Sequence, residues 1–148
     1  GSHIAHDCRI GSNVILANNA TLAGHVEINN NAILGGNSAV HQFVRIGKYA
    51  MIGGMSGVEK DIIPYGLYMG IRENIKGINL IGLKRKGLNN LQINNINFAI
   101  KKIFNSRDTI LNNLNKLQLE KNNTTEIEDI IKFVNAKSKR GLCVLDEE

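Results

Sequence analysis

The sequence from Ile4 to Ile63 divides into ten hexads, IAHDCR, IGSNVI, LANNAT, LAGHVE, INNNAI, LGGNSA, VHQFVR, IGKYAM, IGGMSG and VEKDII. Every hexad opens with isoleucine, leucine or valine, and its fifth position is always small or aliphatic. Glycine and asparagine, which tolerate a positive φ, recur at the third and fourth positions. A short repeat sustained over so much of the chain predicts a solenoid.

A hexad of this pattern predicts a short strand followed by a corner. Three hexads would then form one triangular coil of 18 residues. First-position side chains point into the prism, and the fifth position needs a smaller group to fit beside them. We therefore predict that residues 1–63 form a parallel β-helix.

Beyond Pro64 the apolar period becomes helical. Residues 64–74 are expected to form an irregular connector, and residues 75–148 a cap of about four short helices. The first helix should span 78–86 and end at Gly87, and two more should cover 90–104 and 108–119. Thr125 and Glu128 have the spacing of a capping box for the last one. The expected fold class is a β-solenoid with a C-terminal α-helical cap.

Residues 18 apart should stack at the strand spacing of about 4.8 Å. This places the four histidines of the chain along one edge of the prism, whereas the corners of the other two edges contain none. The columns of this edge contain His3; then His41; then His6, Gly24 and Gln42; and finally Asp7 and His25. The chemical difference between the edges predicts a functional site here, although a lone corner histidine is more often a surface residue.

Histidine suits proton transfer because its unperturbed pKa is about 6.5. Asp7 follows His6 directly, and neighbours that diverge on a strand can converge at a corner, where Asp7 would orient the imidazole. Gly24 lies one coil above His6 and could present its backbone N–H to a developing oxyanion. The alternative is that Gly24 is needed only for the corner.

The net charge of +5 falls in residues 64–148, because residues 1–63 contain four basic and four acidic side chains. Lys84, Arg85 and Lys86 are the densest basic group. It suits a nucleotide diphosphate or an acidic carrier protein, or is simply a solvated helix face. Nucleic acid is disfavoured, because aromatic residues are only 5% and no recognition motif appears.

No apolar run approaches the length of a membrane span, and residues 1–20 lack the basic and apolar regions of a signal peptide, so none is expected. Cys8 and Cys143 lack metal-ligand spacing and are expected to be free thiols in a reducing compartment. We therefore expect a cytoplasmic protein without an integral membrane segment.

Four stretches, HIAHDC (3–8), LANNATLAGHV (16–26), GG followed by AVHQF (35–43) and GLKRKG (82–87), resemble the bacterial UDP-N-acetylglucosamine O-acyltransferases of lipid A synthesis. The likeness covers the C-terminal part of that family. It implies a left-handed β-helix and a homotrimer with the active site between subunits. It also implies transfer of a 3-hydroxyacyl chain from acyl carrier protein to the 3-position of UDP-N-acetylglucosamine, or of a close amino-sugar analogue, without a cofactor or metal.

The resemblance also implies roles for individual residues. His6 matches the general base, Asp7 its neighbour and Gly24 the backbone donor to the oxyanion. The groove for the sugar nucleotide and the acyl chain is matched by His3, His25, His41 and Gln42. Gly54 matches the position that limits acyl length, and the positions near the nucleotide are Asn79, Arg85 and Lys86. Ile81 departs from members that have an acidic residue at its position.

Two other functions fit the repeat. A γ-type carbonic anhydrase would bind zinc through three histidines across a subunit interface, for which His3, His6 and His25 are candidates. The acyltransferase motifs and the helical cap argue against it. A non-catalytic structural β-helix is the second alternative.

Overall fold

The computed structural model describes residues 1–146 and forms a triangular prism of short parallel strands. Each strand consists of two residues, the sixth residue of one hexad and the first residue of the next. The ten regular strands are β1 (His3–Ile4), β2 (Arg9–Ile10), β3 (Ile15–Leu16), β4 (Thr21–Leu22), β5 (Glu27–Ile28), β6 (Ile33–Leu34), β7 (Ala39–Val40), β8 (Arg45–Ile46), β9 (Met51–Ile52) and β10 (Gly57–Val58).

Three sheets form the faces of the prism. Face A contains β1, β4, β7 and β10, face B contains β2, β5 and β8, and face C begins with β3, β6 and β9. Strands pair in parallel with partners 18 residues away, as in His3 with Thr21 and Ile15 with Ile33. The predicted β-helix and its register are confirmed.

First-position and fifth-position side chains fill the prism. Leu22, Ile28 and Leu34 are buried, as are the smaller Ala20 and Ala32 that fit beside them. The same hydrophobic cluster continues into the helical cap. The alternation of large and small groups lets successive coils stack at the strand spacing.

The left-handed residue of each corner is the one at the fourth position. In the first nine hexads this residue has φ between 56° and 65°, and the set is Asp7, Asn13, Asn19, His25, Asn31, Asn37, Phe43, Tyr49 and Met55. The third-position glycines Gly24, Gly36 and Gly54 have no positive φ. The expectation that glycine is used for its φ at the third position is therefore wrong.

The last coil is shorter than the repeat predicts. Ile62 pairs with Ile46, and Tyr68 with Ile52, so the spacing falls to sixteen residues. The carboxylate of the buried Asp61 binds both the backbone and the guanidinium of Arg45, so Asp61 does not form the usual corner. The coil then continues through β11 (Gly66–Tyr68) on face C, inside the segment expected to be irregular.

The cap begins after β12 (Gly77–Ile78), which pairs antiparallel with β11. Its helices are α1 (Leu80–Arg85), α2 (Asn90–Ile103), α3 (Ile110–Gln118) and α4 (Thr125–Asn135). The N-cap of α4 is Thr124 rather than Thr125, because Thr124 is extended and its side chain accepts the Ile127 N–H. Asn89 and Gln92 form a capping box that sequence analysis missed.

The chain returns to the prism after α4. Leu142 forms a parallel bridge with Asp61, and Leu145 forms one with Ile75. Both ends of the cap are therefore joined to the last coil. Within residues 1–146, no helix combines the length and the apolarity that a membrane crossing requires.

Replacing Asp61 by asparagine is expected to destabilise the protein by about 1–3 kcal/mol, because the Arg45 charge would remain desolvated without its counter-ion. The Arg45 Nε lies 2.8 Å from Asp61 Oδ2, and the two side chains are 14% and 0% exposed. Urea denaturation measures the effect. Glu59→Gln is the matched control, since its pair with Arg72 is largely exposed and should contribute little. Equal stability of Asp61→Asn and the wild type would contradict this account of the last coil.

Candidate active site

The site is centred on the first corner between faces A and B, where His6 and Asp7 lie. The His6 Nδ1 is 3.0 Å from Asp7 Oδ2. This contact between sequence neighbours is possible because Asp7 has φ 59°, which turns its side chain back toward His6. The predicted convergence at the corner is confirmed.

The Asp7 carboxylate also faces His25, one coil above. The His25 Nε2 is 3.7 Å from Asp7 Oδ2, and the His6 and His25 rings meet edge to face at 5.1 Å. The hydrogen bond with His6, and next the charge of His25, lower the pKa of Asp7 below its ordinary value. Asp7 is therefore a carboxylate near neutral pH and accepts a hydrogen bond from a histidine.

An Nδ1–H held by Asp7 leaves the Nε2 of His6 as the acceptor of the ring. The His6 side chain is 72% exposed, so its Nε2 is accessible to a substrate. This arrangement can remove a proton from a bound hydroxyl or amine.

Gly24 packs directly against the His6 ring. A Cβ at position 24 would lie 2.7 Å from His6 Cε1 and 2.8 Å from Nε2. Gly24 has no positive φ, so the close approach of His6 and not the corner geometry requires glycine here. Its N–H forms no hydrogen bond with residues 1–146 and is available to a ligand beside His6.

The chain matches the second domain of the UDP-N-acetylglucosamine O-acyltransferase family over residues 61–143. It belongs to this family. Two curated relatives named acyl-[acyl-carrier-protein]--UDP-N-acetylglucosamine O-acyltransferase are 48% and 50% identical. The first, from Thermodesulfovibrio yellowstonii, aligns with 95% of this chain and 54% of its own length. The second, from Caulobacter vibrioides, aligns with 100% and 56%.

Solved structures of the family have the same fold. The UDP-N-acetylglucosamine acyltransferase from Campylobacter jejuni superimposes with a TM-score of 0.86 at 39% identity, over 96% of this chain and 55% of that one. The Arabidopsis enzyme gives 0.85 at 35% identity, over 93% and 51%. The predicted left-handed coil is confirmed by this likeness. The chain spans about half the length of the relatives it matches.

Other positions matched to the acyltransferase family lie on the His6 edge. His41 and Gln42 are exposed in the third coil, where the Gln42 N–H donates to His41 Nδ1 over 2.9 Å. His3 is exposed on β1. The side-chain atoms of His6, Asp7 and His25 that could bind a metal ion lie within 4.8 Å of one another. His3 is not part of this cluster. Within residues 1–146 of one chain, His3, His6 and His25 are therefore not brought together as a set of three.

The family positions expected near the nucleotide lie at a different edge. Asn79 caps α1 by accepting the Gly82 N–H, and its amide donates to the carbonyl of Tyr49 over 2.8 Å. Lys86 pairs with Glu126 at 3.2 Å and lies over the Tyr49 ring. Tyr49 forms the corner between faces B and C, one edge away from His6. Within one chain, the structure does not bring Asn79 and Lys86 to the histidines.

Two further positions complete the comparison. Gly54 lies at the third edge, between faces C and A, where a Cβ would be 3.3 Å from the carbonyl oxygen of Gly36. Arg85 is exposed at the end of α1.

Phe43 was not among the residues predicted for the site, but it stacks on His25 with ring centroids 4.7 Å apart. The 18-residue stacking rule would have identified Phe43, because Phe43 follows Asp7 and His25 in the same column.

Proposed function

We propose that the protein containing this chain transfers a 3-hydroxyacyl group from acyl carrier protein to the 3-position of UDP-N-acetylglucosamine. The observation that carries the proposal is the His6–Asp7 pair packed against a glycine that leaves room for the His6 ring. Family membership and the names of the curated relatives supply the substrate class.

In the proposed reaction, His6 Nε2 takes the proton of the 3-hydroxyl as its oxygen attacks the carbonyl carbon of the acyl thioester. The Gly24 N–H donates to the oxyanion of the tetrahedral intermediate. Collapse breaks the carbon–sulfur bond, and the leaving thiolate takes the proton from the His6 imidazolium. Asp7 holds the Nδ1–H throughout and stabilises the imidazolium. An amine at the 3-position would be acylated by the same steps.

The remaining family positions are proposed to bind substrate. His3, His25, His41 and Gln42 would line the groove beside His6, and Gly54 would leave space for the acyl chain. Contacts within the fold already hold Asn79 and Lys86 in place. They would therefore form a fixed part of the nucleotide site and would not change position when the nucleotide binds. Arg85 has an exposed guanidinium and is the better partner for a diphosphate. The exposed Lys84 beside it would favour an acidic carrier protein.

The separation of the two edges supports a trimer with shared sites. His6 lies between faces A and B, whereas α1 contacts the corner between faces B and C. A second copy that presents its α1 to the His6 edge would complete the site, and threefold symmetry would create three equal ones.

Mixing two impaired variants tests this arrangement. His6→Ala and Arg85→Ala, co-expressed as the full-length protein and assayed below KM, should form mixed trimers in which about a quarter of the sites have both residues. Activity should exceed that of either variant alone when Arg85→Ala by itself lowers activity by more than about threefold, since only about a quarter of the sites are restored. The control is a mixture assembled from separately purified trimers that do not exchange subunits. No gain on co-expression would indicate that His6 and Arg85 serve the site from the same chain, or that Arg85 has no role.

A further inference from the structure

Phe43 occupies a backbone conformation that a bulky residue rarely adopts. Its φ is 65°, in the left-handed region. The equivalent corner positions use asparagine four times, at Asn13, Asn19, Asn31 and Asn37. A phenylalanine costs more than asparagine in this conformation, because its side chain cannot bond locally to the backbone. Tyr49 and Met55 have the same conformation at other corners, so the φ of Phe43 does not by itself indicate a functional role, and its contacts have to be considered.

The contacts of Phe43 lead directly to the proposed catalytic pair. Its ring stacks on His25 with an interplanar angle of 13°. His25 in turn meets the His6 ring edge to face and has its Nε2 3.7 Å from Asp7 Oδ2. The Lys139 ammonium, from the segment after α4, lies 4.2 Å from the Phe43 ring centroid. Phe43 is half-buried, so these contacts restrict its ring.

We propose that Phe43 is a positioning residue for acyl transfer, which rests on the function proposed above for His6. The stacked ring fixes the plane of His25, and this keeps the His25 Nε2 directed at Asp7. Asp7 shares the same oxygen, Oδ2, with both imidazoles. A His25 ring free to rotate would therefore change the position of the carboxylate that orients His6.

A second aromatic pair shows what a purely structural stack does in this fold. The rings of Tyr49 and Tyr65 stack at 5.8 Å on the edge between faces B and C. Tyr65 is completely buried, and its hydroxyl donates to Asp129 of α4, which joins the prism to the cap. The His25 side chain is instead 42% exposed and faces the site. The Phe43 ring therefore packs against a side chain that remains accessible to a substrate.

The experiment compares Phe43→Tyr with Phe43→Leu in the full-length protein. Tyrosine keeps the flat ring, whereas leucine keeps the apolar character without it. We expect Phe43→Leu to lower kcat about tenfold, with KM for both substrates within about twofold, because misplacement of a catalytic group affects the chemical step. Phe43→Tyr should have wild-type kcat.

Imidazole proton resonances provide a readout that does not require activity. The Phe43 ring current should shield the His25 ring protons, which are expected to move downfield in Phe43→Leu and to stay in place in Phe43→Tyr. Phe43→Asn also removes the ring but suits the left-handed backbone. It should melt no lower than Phe43→Leu and be equally slow, which separates loss of the stack from unfolding.

Wild-type kcat in Phe43→Leu, or equal impairment of Phe43→Tyr and Phe43→Leu, would overturn the proposal. Unchanged His25 resonances in Phe43→Leu would overturn it too, because the stack would then be absent in solution. A wild-type protein without transferase activity would refute the proposed function of His6 instead, and the resonances would still report on the stack.

Discussion

Replacing His6 by alanine is expected to lower kcat for acyl transfer by about 10²–10⁴, the usual contribution of a positioned general base. The fold should be unaffected, because the His6 side chain is 72% exposed and its contacts are with Asp7, the His25 ring and Gly24. Steady-state kinetics of the full-length protein measure the loss, and a thermal melt tests the fold.

Asn18→Ala provides the matched control for His6→Ala. Asn18 is the third-position corner residue two hexads later in the same coil, is exposed, and lies at the edge between faces C and A. Its replacement should change neither kcat nor the melting temperature. Activity of His6→Ala within a few-fold of the wild type would refute His6 as the base.

Gly24→Ala is expected to lower kcat by about 10²-fold, since misplacing a catalytic group by about 1 Å costs this much. The added Cβ would lie 2.7 Å from the His6 ring, so the exposed ring must rotate away and its bond to Asp7 must lengthen. The melting temperature should change little, because Gly24 has no positive φ and the His6 side chain can give way.

Gly36→Ala distinguishes this effect from a general cost of alanine at a corner. Gly36 is also a third-position glycine without positive φ, but its Cβ would meet only the Asn18 carbonyl oxygen, at 3.4 Å. It should therefore fold normally and remain active. If Gly24→Ala is as active as Gly36→Ala, the space beside His6 does not matter for catalysis. Rotation of the ring in Gly24→Ala should also appear as a change in the His6 imidazole resonances.

The parts of the fold that follow from local chemistry could be predicted from the sequence. The hexads determine which side chains enter the prism, and their multiples of 18 determine which corners stack. Stacking at 18 residues therefore correctly predicts that Asp7 and His25 lie together. The same reasoning gave the helices of the cap to within a few residues, because amphipathic periods and caps are local.

The features that could not be predicted depend on residues far apart in the chain. Lys86 belongs to a run of basic residues, but its ammonium pairs with Glu126 and so adds little free charge. The last coil is shortened at Asp61, whose buried carboxylate binds Arg45. The backbone of Asp61 also forms hydrogen bonds with Gly141 and Cys143 of the C-terminal segment. Hexad periodicity contains no information about either contact. Column stacking placed Gly24 one coil above His6, but it contains no information about how closely the His6 ring approaches the Gly24 Cα.

The return of the chain to the last coil has a consequence for local opening. The Ile75 N–H donates to Val144, the Asp61 N–H to Gly141, and the Cys143 N–H back to Asp61, so the segment after the cap helices is hydrogen-bonded to the last coil. The other end of the cap is held by β12, which pairs with β11. The cap cannot fray from one end. We therefore expect these amides to exchange with solvent as one cooperative unit together with the cap helices. Lengthening the loops between the helices should cost little, because closure entropy grows only logarithmically with loop length.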